Sequence, residues 1–216
     1  MSLRQKLLTA VSKQFPTLKR LKDAKDGIAA IEFAFIAPIM IALYFGMSEV
    51  AMGIMADRQV SHATSVTGDL TTQLPAMNGA ELADVMTATI AVMGVKSNNL
   101  HRLTIELNSF QMNIDGSVNR VGYARLGPEI SAGGPAVYDP SGLNSQMFNS
   151  DSGVVVARIN YQYQPTTMMF LNQFTMAETF VMKPRKSVSV PFDDAGMSDF
   201  TCIAGSDLKV TCTGTS

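Results

Sequence analysis

This chain of 216 residues carries only two histidines and two cysteines, and each shortage removes a class of chemistry. His62 and His101 lie far apart in sequence, neither beside a nucleophile motif. No Gly-x-Ser-x-Gly, His-Glu-x-x-His or P-loop pattern occurs, so no catalytic residue is nominated and no enzymatic activity is expected. With no further cysteine and no clustered histidine, a zinc site is not expected, and no cofactor is called for. Oxygen ligands are scattered too thinly for a clear calcium site. Asn113, Asp115, Ser117 and Asn119 alternate faintly like half of a calcium loop, but Asp115-Gly116 reads better as a hairpin turn. Asp193, Asp194 and Asp199 offer a second calcium candidate against the simpler reading of a solvated acidic loop.

The charge that is present is unevenly placed. Residues 1–26 hold seven Lys and Arg (Arg4, Lys6, Lys13, Lys19, Arg20, Lys22 and Lys25) against Asp23 and Asp26, a net of +5 within a chain whose total is −1. A long apolar run follows, Ile28 to Met47, with Glu32 as its one charge. At about 1.5 Å per residue in a helix, its twenty residues cover roughly 30 Å, a bilayer core. A basic flank before such a run reads as cytoplasmic, because positive charge resists translocation. That explains the arm better than nucleic-acid binding does, and no nucleic acid is expected as a partner. The run exceeds a secretory h-region. Small residues at Ala51-Met52-Gly53 leave a cleaved signal peptide as the competing reading, against which stand the long leader and the internal Glu32.

Helical spacing continues past Met47 through Val60, Ala63, Thr67, Leu70 and Leu74, with Asp57 and Arg58 marking the exit into water. Gly68 is expected to loosen the helix, and Pro75 with Asn78-Gly79 to end it near Gln73, on the order of 70 Å from its start. Asn78-x-x-Glu81 forms a capping box for a second helix whose face is Leu82, Val85, Met86, Ile90 and Met93, with Gly94 as C-cap. Strands follow. Leu103, Ile105 and Leu107 alternate, then Phe110, Met112 and Ile114 alternate out of phase, which points to a bulge or bend at Asn108-Ser109. A strand around Val118–Arg125 follows the Asp115-Gly116 turn. Residues 127–152 read as a long surface loop. Val154–Tyr163 is the clearest strand, with Val155, Ala157, Ile159, Tyr161 and Tyr163 on one face, ended by Pro165. Further strands are expected at Ala177–Met182 and Ser187–Val190, then a polar, acidic tail from Pro191. With the N-terminus inside, Cys202 and Cys212 lie outside the cytoplasm, where a bridge is favoured over two thiols. It would close a loop of about 11 residues and stabilise by roughly 2–3 kcal/mol.

The stretch Gly27-Ile28-Ala29-Ala30-Ile31-Glu32-Phe33-Ala34-Phe35-Ile36-Ala37-Pro38 resembles the start of the TadE/TadG-like pseudopilins of tight-adherence (Flp-type, type IVb) pilus systems. Glycine, three residues, Val/Ile-Glu-Phe-Ala and an apolar stretch with proline form the pattern. Ile28-Ala29-Ala30 lacks the aromatic first residue common among major type IVa pilins, which fits the Tad branch. Val156 to Pro165 also looks like that family's strand and Tyr-x-Pro region, more weakly. No Asp-x-Ser-x-Ser metal site of the larger TadG-type relatives is found.

The resemblance implies an α+β architecture: a long pilin-like N-terminal transmembrane helix continuing into a small periplasmic domain with a second helix and an antiparallel sheet. The segments would be a cytoplasmic leader at 1–27, a transmembrane helix at 28–56 and a periplasmic domain at 57–216. It implies cleavage between Gly27 and Ile28 by a prepilin peptidase, assembly roles for Glu32 and Phe33, and a kink at Pro38. The implied partners are other minor pseudopilins, the major Flp pilin, the inner-membrane assembly platform and membrane lipid. The implied function is a minor pseudopilin that initiates, primes or caps the pilus. The alternative from another class is a membrane-anchored periplasmic enzyme or binding protein unrelated to pili.

Overall fold

The computed structural model describes residues 27–127, 138–142 and 152–215. The leader at 1–26 and most of the loop expected at 127–152 lie outside the described residues. Two compact units divide at Ser48/Glu49.

The first unit is described over 27–48, the start of helix α1 (Gly27–Thr72). No side chain here is buried. The run is apolar all round, so no face is distinguished for a protein core, as is usual for a helix whose whole surface meets an apolar medium. The helix is continuous through Pro38, whose missing N–H leaves one intrahelical bond unmade.

The second unit, 49–216, packs the remainder of α1 and helix α2 (Gly79–Met93) on one face of a six-stranded sheet. The strands are β1 (Leu103–Met112), β2 (Val118–Leu126), β3 (Gly153–Tyr163), β4 (Phe174–Met182), β5 (Asp199–Ala204) and β6 (Val210–Thr215), in the order β4-β3-β1-β2-β5-β6. The architecture is α+β, and the sheet is mixed: β2 and β5 run parallel while the other four pairs are antiparallel.

α2 begins as its sequence requires. The Asn78 side chain accepts from the Glu81 N–H at 3.0 Å, and the Glu81 carboxylate accepts from the Asn78 N–H at 2.9 Å. Gly94 closes the helix at φ 63°, where a side chain would be strained. Leu82, Val85, Met86, Ile90 and Met93 are all buried against the sheet. From α1, Val60, Ala63 and Thr67 enter the same core. The Thr64 and Thr71 hydroxyls donate to carbonyls one turn back, and the Thr67 and Thr89 hydroxyls, 2.7 Å apart between the two helices, share one hydrogen bond while the other proton goes to a carbonyl one turn back.

Gly68 does not loosen α1, which passes through it unbroken. Its role is close approach: a Cβ there would lie 3.1 Å from Met182 Sδ and 3.6 Å from Ala157 Cβ. The change of apolar phase in β1 does coincide with a bulge, but the extra residue belongs to the partner strand. Ser109 faces Gly122 and Phe110 faces Arg120, leaving Val121 over. Along β1 itself the apolar residues change faces. Leu103, Ile105 and Leu107 face the helices, whereas Phe110 joins Val154 and Val156 in a second small core partly covered by Met112, Tyr138 and Val181. β3 is thus buried on both faces over its first half.

Two further expectations are revised. Ser187–Val190 is not a strand. It is held as irregular chain, with the Gly153 N–H donating to the Val188 carbonyl at 2.6 Å and the Ser189 hydroxyl to Gln111 Oε1 at 2.9 Å. The segment from Pro191, read as a polar, acidic tail held by the disulfide, carries that bridge but also supplies β5 and β6. Phe200, Cys202 and Val210 are buried in the main core, but the threonines between them dilute the apolar signal. The Cys202–Cys212 disulfide joins residues that stand directly opposite each other in this hairpin.

Candidate functional site

Two places on α1 deserve chemical scrutiny, one in each unit. In the first, Gly27 is the first described residue of α1, and an added Cβ there would meet nothing within 4 Å among the described residues. Ile28 is 59% exposed and Phe33 71%. Glu32 is also exposed and has no partner among the described residues. It is the lone charged residue between Gly27 and Ser48. In the described chain it is an apolar helix surface interrupted by one unsatisfied acid.

The second place is Glu49, which the sequence reading passes over. It is 4% exposed and receives a whole loop. Its Oε1 accepts from the Thr167 hydroxyl and from the Met169 N–H at 3.2 Å; its Oε2 accepts from the N–H groups of Phe170 at 3.0 Å and Leu171 at 3.1 Å. Met168, at φ 49°, turns the chain just ahead of the three successive donors. Such an array of N–H groups suits an ionised carboxylate, which has only lone pairs to offer. One turn along α1, Gly53 is buried, and a Cβ there would lie 3.9 Å from Leu171 Cδ1 and 4.0 Å from Tyr163 Cε1. Burial, and then the nearby Glu49 charge, push the Tyr163 phenol up from its ordinary range. The available signal for this site was that Glu49 is the first acid after the apolar run.

A cavity of about 400 Å³ opens beside this region, lined among others by Met52, Met55, Met93, Lys96, Tyr161 and Tyr163. Its walls mix apolar side chains with polar ones such as Gln59, Asn99 and Gln164, and they bring together no nucleophile with a base. His62 and His101 are both exposed and remain apart. Asp115 serves its turn, accepting from the Ser117 N–H at 2.9 Å and the Ser117 hydroxyl at 2.6 Å. These bonds, side chain before backbone, hold its carboxyl below the usual range. Asp193 accepts from the Gly196 N–H at 2.9 Å, Asp194 forms a bridge with Met197, and Asp199 pairs with Arg120 at 2.8 Å. Among the described residues no group of three His, Cys, Asp or Glu side chains is placed to hold a metal.

α1 is long and apolar enough to cross a membrane. No curated protein and no solved structure matches the chain. A family model does, over residues 27–68, which is most of α1 and none of the sheet. The similarity of Val156 to Pro165 lies outside that match. Over that helical segment the chain is similar to the TadE-like protein family, and the match extends no further.

Proposed function

We propose that the chain is a minor pseudopilin, a structural subunit that initiates, primes or caps a Flp-type (type IVb) pilus used in surface adherence. The TadE-like family is structural and pilus-related, and it points to a protein associated with a Tad pilus. The observation that carries the finer reading is the coincidence at Gly27. The family match starts there, and none of the next 21 residues is buried, with Glu32 their lone charge.

In this reading a prepilin peptidase removes the basic leader after Gly27 and leaves Ile28 as the new N-terminus. Glu32 then becomes the fifth residue, about 6 Å along the helix from the new amine. An isolated carboxylate is costly in a bilayer. Pairing with the amine of a neighbouring subunit would satisfy it, so assembly relieves an unpaired charge. Phe33 would pack beside that contact, and Pro38 would set a bend in the helix. In this reading the apolar run Ile28–Met47 crosses the hydrocarbon core within the 28–56 segment expected from sequence, and Glu49 and Gly53 lie buried in the folded unit. The basic leader faces the cytoplasm and the domain from Glu49 the periplasm. The partners are the peptidase, other minor pseudopilins, the major pilin, the assembly platform in the inner membrane and its lipid.

N-terminal sequencing of the mature protein tests the reading. A start at Ile28 is expected. A start near Ala51–Ile54, as from a secretory signal, or an intact Met1 would overturn it.

A further inference from the structure

The loop held by Glu49 is unusual for a water-facing segment. Met168, Met169 and Phe170 are 44%, 66% and 51% exposed at its tip. From Gln164 to Ala177 there is no charged side chain. Three consecutive large apolar residues in water need an explanation, since exposed patches of this kind mark interaction surfaces.

We propose that this loop is a second membrane contact: Met168, Met169 and Phe170 enter the interfacial zone of the bilayer from which α1 emerges. The inference rests on the reading of α1 as a membrane anchor. Three observations favour lipid as the occupant. The first is position. Glu49, the loop's anchor, is the second residue beyond the apolar run, a rise of about 3 Å along the helix. The second is continuity. Val50, Met52, Ile54 and Met55 remain exposed on the same stretch of helix, and the next charge after Glu49 is Asp57.

The third is hydrogen bonding. Unsatisfied backbone groups make irregular chain costly to remove from water. Here the N–H groups of Met169, Phe170 and Leu171 already bond to Glu49, and Glu49 is itself buried by the loop. The assembly presents methionine and phenylalanine side chains outward while its polar groups satisfy one another. An exposed Ile114, by contrast, stands alone at a turn beside Asp115 and has no such preparation.

The chain contains no tryptophan, so a single introduced one reports its own surroundings. The experiment places full-length Phe170→Trp, Leu43→Trp and Ile114→Trp variants in phosphatidylcholine–phosphatidylglycerol vesicles. Quenching is then compared with lipid brominated on the acyl chain near the headgroup. Trp at 170 should emit to the blue and lose most of its intensity to the bromolipid; Trp at 114 should do neither. Met169→Trp provides an independent position should the first variant perturb the loop, and it should behave like the variant at 170. If Trp at 43 is quenched and both loop variants are not, the loop inference is overturned while the anchor stands. If Trp at 43 is not quenched, the anchor reading falls and the inference with it. Blue-shifted loop emission that resists bromolipid and fades as protein is diluted per vesicle would mean that a second copy covers the loop, which also overturns the proposal.

Discussion

The Glu49 carboxylate accepts the main-chain N–H of Phe170 at 3.0 Å, a bond between residues 121 positions apart. With the neighbouring bonds from Met169 and Leu171 it makes one side chain the organiser of a whole loop.

Glu49→Gln replaces one acceptor oxygen by an amide nitrogen that only donates, so the two donors served by that oxygen lose their acceptor. Amide hydrogen exchange at Met169, Phe170 and Leu171 should rise on the order of tenfold or more, because a charged acceptor has been lost. Exchange in β1 should not change. Unaltered exchange in the loop would show that these bonds do not hold it.

Glu32→Ala should leave membrane insertion intact and reduce incorporation into the pilus. Membrane fractionation reads the first, and immunoblotting of sheared pili the second. Equal incorporation of variant and wild type would remove the assembly role from Glu32.

Two glycines that accept close neighbours should differ sharply in their tolerance of alanine. At Gly122 a Cβ would overlap Phe192 Cγ, and that ring is buried. Gly122→Ala should therefore destabilise by about 1–3 kcal/mol through overpacking. At Gly68 the nearest atom is the end of a flexible methionine side chain, so Gly68→Ala should cost less. Chemical denaturation compares them, and Phe192→Leu should recover part of the loss at Gly122 alone.

Acid should weaken the β1–β2 turn through Asp115. Its carboxyl is held low by Ser117, so its contribution to stability is fully present above the ordinary carboxylate pKa and is lost as pH falls through the lowered, folded value. Ser117→Ala should return Asp115 toward the ordinary range, as read by carbon-detected NMR titration of its carboxyl. A titration curve unchanged by that substitution contradicts the assignment.

Reduction of Cys202–Cys212 should lower stability by roughly 2–3 kcal/mol. A fall in Tm of several degrees on adding reductant, absent in a Cys202→Ser/Cys212→Ser variant, is the measurement.

What could be read in advance follows from how strongly each feature is encoded locally. α1 is legible because twenty apolar residues with one charge admit few structures. α2 is legible because Asn78, Glu81 and Gly94 supply start and stop signals that depend on neighbouring backbone alone. Ser187–Val190 misleads because alternation describes a side-chain pattern, whereas this segment spends its polar groups on Gly153 and Gln111. β5 and β6 escape notice because only Phe200, Cys202 and Val210 reach the core and a parallel partner, β2, must come from far away in sequence. Glu49 escapes for a related reason. Nothing beside it in sequence announces a loop over a hundred residues later, so its burial is a tertiary fact.

The contact between α2 and β6 sets an order on events. The Val210 N–H donates to the Thr87 hydroxyl at 3.1 Å, and 123 residues separate the two. α2 has the signals to wind early, yet part of its surface stays uncovered until β6 has been made and paired. Contacts of such long sequence separation are slow to form. For that interval the part of α2 that β6 will cover faces water, and the second unit stays unfinished until its last strand is made.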